Sequence, residues 1–119
     1  AHIPTRDGGM TTALMLEVIA TRAAPLSRLM SYAFPRFYQN KSKVPVDPAK
    51  VREIMRAIER QGDGKVEKVD GVKVWVDEKT WALIRPSGTE PIVRVFVESE
   101  TQEKADTTAK KFIKTVKSA

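Results

Sequence analysis

Apolar and polar residues alternate one by one in two stretches of the chain. Val72, Val74 and Val76 share one face of the first, and Val93, Val95 and Val97 share one face of the second. A period of two is that of a half-buried β-strand. Strands are expected at 65–69, 72–77, 80–85 and 92–98, with Asp70-Gly71 as a tight hairpin turn between the first two. A further strand is expected near Tyr38–Val44, inside the connector 36–46.

Elsewhere the period is helical. Asp47-Pro48 reads as a helix start, a capping carboxylate followed by proline at the first helical position. Val51, Ile54, Met55 and Ile58 form its apolar stripe, and Gly62 closes it. A last helix is expected from about 101 to 117, with Ala105, Ala109, Phe112, Ile113 and Val116 on one side and a capping box between Ser99 and Gln102. Residues 38–119 thus read as β-α-β-β-β-β-α. The fold class is α+β, an antiparallel sheet with two helices on one face.

The N-terminal part follows another pattern. Residues 1–9 read as a loop, and residues 10–21 as a helix with Met10, Ala13, Leu14, Met15, Leu16, Val18 and Ile19 on nearly every side. A helix apolar all round should be buried all round. Pro25 opens a second helix carrying Leu26, Leu29, Met30 and Ala33, and Phe34-Pro35 ends it. These two helices look like the edge of a domain whose remainder is missing, with a domain boundary near 35–40.

Composition narrows the classes. The 119 residues are 41% hydrophobic and 30% charged, and carry no cysteine. That is a globular composition with room for a modest core. It excludes disulfides, thiolate metal sites and cysteine catalysis, and fits a reducing cytosol. The net charge of +6 favours anionic partners. The densest cations, Lys110, Lys111, Lys114 and Lys117, read as a solvated helix face.

The chemistry concentrates at "RPSGTEP", residues 85–91, between two strands. A glycine there permits positive φ and lets a ligand approach the backbone. Backbone N–H groups around it can form an anion nest. Ser87 and Thr89 add hydroxyls, and Arg85 adds a planar fork for two phosphate oxygens. Glu90 should point away, toward a backbone N–H or Arg94. Residue types alone leave two readings open, a phosphate loop or a plain hairpin turn. Arg94 either reaches back to the loop or pairs with Glu98. Trp75 and Trp81 pack under the helices or at a domain contact, or else offer a stacking platform. "QGDGK" at 61–65 lacks the carboxylates of a calcium loop. His2, the one histidine, has no partner. No catalytic nucleophile, acid–base pair or metal cluster is apparent.

The stretch "LIRPSGTEPIVRVFVES" resembles the C-terminal signature of the α-D-phosphohexomutase family, the phosphoglucomutases, phosphomannomutases and phosphoglucosamine mutases. "RDGGMTTALMLEVIA" at 6–20 is similar to the end of that family's third domain. The resemblance implies that residues 1–37 are a remnant of the third domain. Residues 38–119 would be the fourth, a TATA-binding-protein-like domain that holds the phosphate not being transferred. Arg85, Ser87, Gly88 and Thr89 would be its ligands, with Arg94 beside them.

The implied chemistry is phosphoryl transfer through a phosphoserine and a hexose bisphosphate. It is assisted by magnesium in the second domain, in a cytoplasmic enzyme of carbohydrate metabolism. Neither the nucleophile loop nor the Asp-x-Asp-x-Asp metal motif occurs in this chain, so magnesium is not expected on it and the chain alone is expected to be inactive. Its expected partners are a hexose phosphate and the other three domains, with self-association possible through residues 10–33. A small basic nucleic-acid module is the remaining alternative; it lacks an aromatic triplet on one strand and a focused basic stripe.

Overall fold

The computed structural model describes residues 7–62 and 64–119. His2 lies outside them. Two compact units divide the chain, 1–36 and 37–119.

The first unit holds α1 (Gly8–Arg22) and α2 (Leu26–Ala33). α1 begins two residues before the expected start, because Asp7 caps it: its carboxylate accepts the Met10 N–H at 2.9 Å. Gly8 and Gly9 are therefore helical. No residue of α1 or α2 is buried. Leu14, Leu16 and Phe34 are 52%, 61% and 61% exposed, so the all-round apolar surface read from the sequence is uncovered in this chain.

The second unit is the expected α+β arrangement. Its strands are β1 (Tyr38–Pro45), β2 (Val66–Glu67), β3 (Val72–Asp77), β4 (Thr80–Pro86) and β5 (Ile92–Ser99), with helices α3 (Val51–Gln61) and α4 (Gln102–Ser118). They form one antiparallel sheet in the order β1-β5-β4-β3-β2. β2 is shorter than the expected 65–69. Asp47 caps a 3-10 turn, Pro48–Lys50, that leads into α3.

The core lies between the sheet and the two helices. Val72, Val74, Ala82, Ile84, Val93, Val95 and Val97 come from the strands. Ile54 and Ile58 come from α3, and Ala105, Ala109, Phe112 and Val116 from α4. Each fully buried Val or Ile contributes about 1.5–3 kcal/mol. Asn40 ties β1 to α4 by donating to Asp106 at 2.7 Å.

Two expectations need correction. The register shifts between Trp75 and Asp77, and Val76 is 48% exposed rather than on the face of Val72 and Val74. A bulge adds a residue that cannot keep the alternation. The capping box does not form either. Thr101 caps α4, accepting the Lys104 N–H at 3.2 Å. Ser99 ends β5, fully buried, where its hydroxyl meets that of Thr80 at 3.0 Å.

Asp77 links the β3–β4 turn to α4. The Lys104 ammonium, then the Lys79 N–H, hold its carboxyl at about 2 against an ordinary 3.8. A carboxyl depressed by folding stabilises the fold above its unfolded pKa, and that contribution disappears as pH falls through the folded value.

Two predictions follow from these contacts. Ser99→Ala strands the Thr80 hydroxyl and should cost about 1–3 kcal/mol in urea unfolding, while adding Thr80→Val should cost less than the sum of the two single changes. Strict additivity would mean that the two hydroxyls do not interact. In acid titration, Asp77→Asn should flatten the stability loss between about pH 4 and pH 2. An unchanged acid limb would remove Asp77 as its cause.

Candidate functional site

β4 and β5 are joined by a loop that carries the sequence-predicted residues. Pro86 pairs with Val93 in the ladder, and the Ser87 N–H closes it by donating to the Ile92 carbonyl at 2.9 Å. Beyond that point the chain turns through Gly88, Thr89 and Glu90. Among the described residues, none accepts a hydrogen bond from the backbone N–H groups of these three. Pro91 accepts from the Val46 N–H at 3.0 Å, which fastens the loop to the end of β1.

The pleat then aims the arginines. Ile84, Val93 and Val95 face the core, so Arg85 and Arg94 face the other side of the sheet. They are direct cross-strand partners. Lys43 stands opposite Arg94 on its other flank, giving a row of three cations beside the loop. Like charges so placed repel, and two carboxylates offset them: Asp70 lies 2.8 Å from Arg85 Nη1, and Glu90 lies 3.5 Å from Arg94 Nη2. Arg94 Nε is buried with no hydrogen-bond partner among the described residues. An unmatched buried donor costs free energy that an acceptor would recover.

Arg85, Pro86, Ser87, Gly88, Thr89 and Arg94 line one recess of about 280 Å³. All five sequence-predicted site residues are thus brought together. Glu90 turns to Arg94, as expected. Gly88 departs from expectation in its backbone: among the described glycines only Gly71 has positive φ, at 109°. A Cβ placed on Gly88 meets nothing within 4 Å, so the glycine leaves open space beside the loop rather than relieving a strained turn.

Arg94 does not pair with Glu98. Four residues along a strand separate them by about 13 Å. Glu98 instead accepts from Gln39 at 2.9 Å and from Trp81 Nε1 at 3.2 Å. The tryptophans do not pack under the helices. Trp75 and Trp81 are cross-strand partners on the helix-free face. Lys73 lies over both rings, 4.2 and 4.6 Å from their centroids. Trp75 Nε1 donates to Glu67 at 3.3 Å, and Lys65, then Trp75, hold that carboxyl below its ordinary range. Rings covered by a lysine and flanked by Glu67 and Glu98 are a poor platform for nucleic-acid bases.

Sequence reasoning missed Asp70 and Lys43. Asp70 was read only as half of a turn. The β1–β5 register sets Lys43 opposite Arg94, whereas Asp70 lies in the turn before β3 and reaches Arg85 only through its side chain. Among the described residues no three His, Asp or Glu side chains cluster as metal ligands.

Residues 39–115 match the family model described as phosphoglucomutase/phosphomannomutase, C-terminal domain. The chain is 40% identical over 103 residues to a phosphoglucomutase/phosphomannomutase of Thermococcus kodakarensis, covering 84% of this chain and 22% of that protein. It is 36% identical over 120 residues to a probable phosphoglucosamine mutase of Pyrococcus furiosus, covering 97% of this chain and 26% of that one. The chain spans about a quarter of the length of these curated relatives. A crystal structure of a phosphoglucomutase/phosphomannomutase family protein from Burkholderia thailandensis shares the fold, with a TM-score of 0.68 at 22% identity. The match covers 94% of this chain and 24% of that one.

The two glycines make opposite predictions for stability. Gly71→Ala should cost about 1–3 kcal/mol or more, from strain at positive φ and a clash with the Ile84 carbonyl oxygen. Gly88→Ala should stay within about 0.5 kcal/mol of the wild type. Thermal or urea unfolding of both variants checks this, and equal losses would contradict the assigned geometry.

Proposed function

From the premise that this chain belongs to the phosphoglucomutase/phosphomannomutase family, matching its C-terminal domain, we propose that residues 38–119 hold the phosphate of a hexose phosphate that is not being transferred. Gly88 and Thr89, whose backbone N–H groups have no acceptor among the described residues, and Arg94, whose Nε is orphaned, line one recess with Arg85 and Ser87. That convergence of donors carries the reading. A dianion fills it: Arg85 and Arg94 supply charge-assisted donors, the hydroxyls and loop amides supply the rest, and Gly88 leaves room for close approach.

In the whole enzyme, phosphoryl transfer takes place between a phosphoserine and the sugar, through a hexose bisphosphate. This domain's part is positional. Gripping the remote phosphate fixes the reacting end, and binding energy from a non-reacting group can lower the barrier. The recess is lined by anion donors and one proline, without a group that reads a sugar ring. Glucose, mannose and glucosamine phosphates all fit this description, and relatives named for each chemistry are among the matches. Residues 1–37 are read as the end of the third domain, whose remaining elements would cover the exposed apolar side chains of α1 and α2. Without that cover, the same side chains support self-association through residues 10–33.

The test is an amide NMR titration of the 119-residue chain with glucose 1-phosphate, with glucose as control. Saturable shifts are expected at Ser87, Gly88 and Thr89, with affinity reduced roughly tenfold or more in Arg85→Ala. No response to the sugar phosphate at tens of millimolar, or an equal response to glucose, would sink the phosphate reading.

A further inference from the structure

Asp70 and Gly71 sit in the turn before β3, outside the "RPSGTEP" loop. Gly71 lies so close to β4 that a Cβ would collide with the Ile84 carbonyl oxygen and stand 3.1 Å from Arg85 Cα. The turn backbone is therefore pressed against the strand at Arg85 itself. That contact delivers Asp70 to the arginine, with Oδ2 2.8 Å from Nη1. The side chains of Arg85 and Asp70 are 51% and 65% exposed, so the pair adds little to folding. Its effect is on direction. A guanidinium is a rigid planar fork of five donors, and one carboxylate on a terminal nitrogen sets its plane while the other donors stay free. Arg85 has need of such a hold, because Arg94 is its cross-strand neighbour and repels it.

We propose that Asp70 is a positioning residue for the phosphate site, holding the Arg85 guanidinium at the recess before an anion arrives. This rests on the phosphate reading above. Asp70 is not among the residues that line the recess, so it acts on Arg85 from outside and does not occupy the anion's place. Glu90 is different: it belongs to the loop and meets Arg94 at 3.5 Å. Holding one rotamer-rich side chain in place before binding spares the ligand the entropy of ordering it.

The experiment titrates inorganic phosphate into the 119-residue chain and its variants, following the Ser87, Gly88 and Thr89 amides and the Arg85 guanidinium resonances. Asp70→Asn should weaken phosphate binding about three- to tenfold, the scale of one immobilised side chain. It should also broaden the range of Arg85 orientations in the free chain, with the thermal midpoint nearly unchanged. Asp70→Glu should recover part of the loss. In an Arg85→Lys background, where no planar fork remains to be oriented, Asp70→Asn should cost no further affinity. Equal or tighter binding by Asp70→Asn, or an undiminished loss in the Arg85→Lys background, overturns the positioning role alone. A wild-type chain that shows no phosphate-induced shift overturns the phosphate reading, and this role with it.

Discussion

The site depends on the burial of alternate residues along β5. Val93, Val95, Val97 and Ser99 are all 1% exposed or less, on the side of the sheet that α4 covers. Turning any of the three valines outward would expose apolar area worth about 1.5–3 kcal/mol per side chain and would flip the whole strand with it. Arg94 therefore has no choice of face. The same holds on β4, where Ala82 and Ile84 send Arg85 outward. Antiparallel register then sets the two arginines side by side at the end where the loop begins. A packing requirement on one face of the sheet thus builds the charge cluster on the other.

That cluster is electrostatically incomplete. Three cations stand in one cross-strand row, and the two carboxylates near them are both more than half exposed. Exposed pairs of this kind are screened and worth little each. The interactions with most to gain are the buried Arg94 Nε and the unengaged loop amides, because a donor without an acceptor is costly in proportion to its burial. On the phosphate reading, an arriving dianion satisfies these groups together, and the long-range pull of the cation row assists its approach.

Much of this was legible along the chain. The five strands, the four helices and the gathering of Arg85, Ser87, Gly88 and Thr89 at one strand connection follow from period and turn residues, which leave Arg94 open between that connection and Glu98. What escaped has identifiable physical causes. The bulge at Val76 breaks an alternation that looks unbroken in one dimension, and nothing in "VWVDEKT" marks which residue is extra. Ser99 resembles a helix cap because caps and buried strand ends both use small hydroxyl residues; only the hydroxyl of Thr80 across the sheet decides between them. The tryptophans lie on the helix-free face rather than under the helices, and parity with Val74 already sends Trp75 there. Asp70 was hidden because turn chemistry alone was enough to explain it.

The two units differ in what holds them. Residues 37–119 contain every buried residue of the core cluster, whereas α1 and α2 contain none. Short isolated helices are marginal in water, since nucleation is costly and only tertiary packing of an apolar face makes it good. α1 has its cap at Asp7 and three threonines whose hydroxyls bond back to helix carbonyls, but these local bonds do not shelter Leu14 or Leu16. The sheet unit, by contrast, closes its core with its own helices and carries the whole recess on its own residues. A phosphate-binding function assigned to this chain therefore rests on the part of it whose geometry is self-supporting.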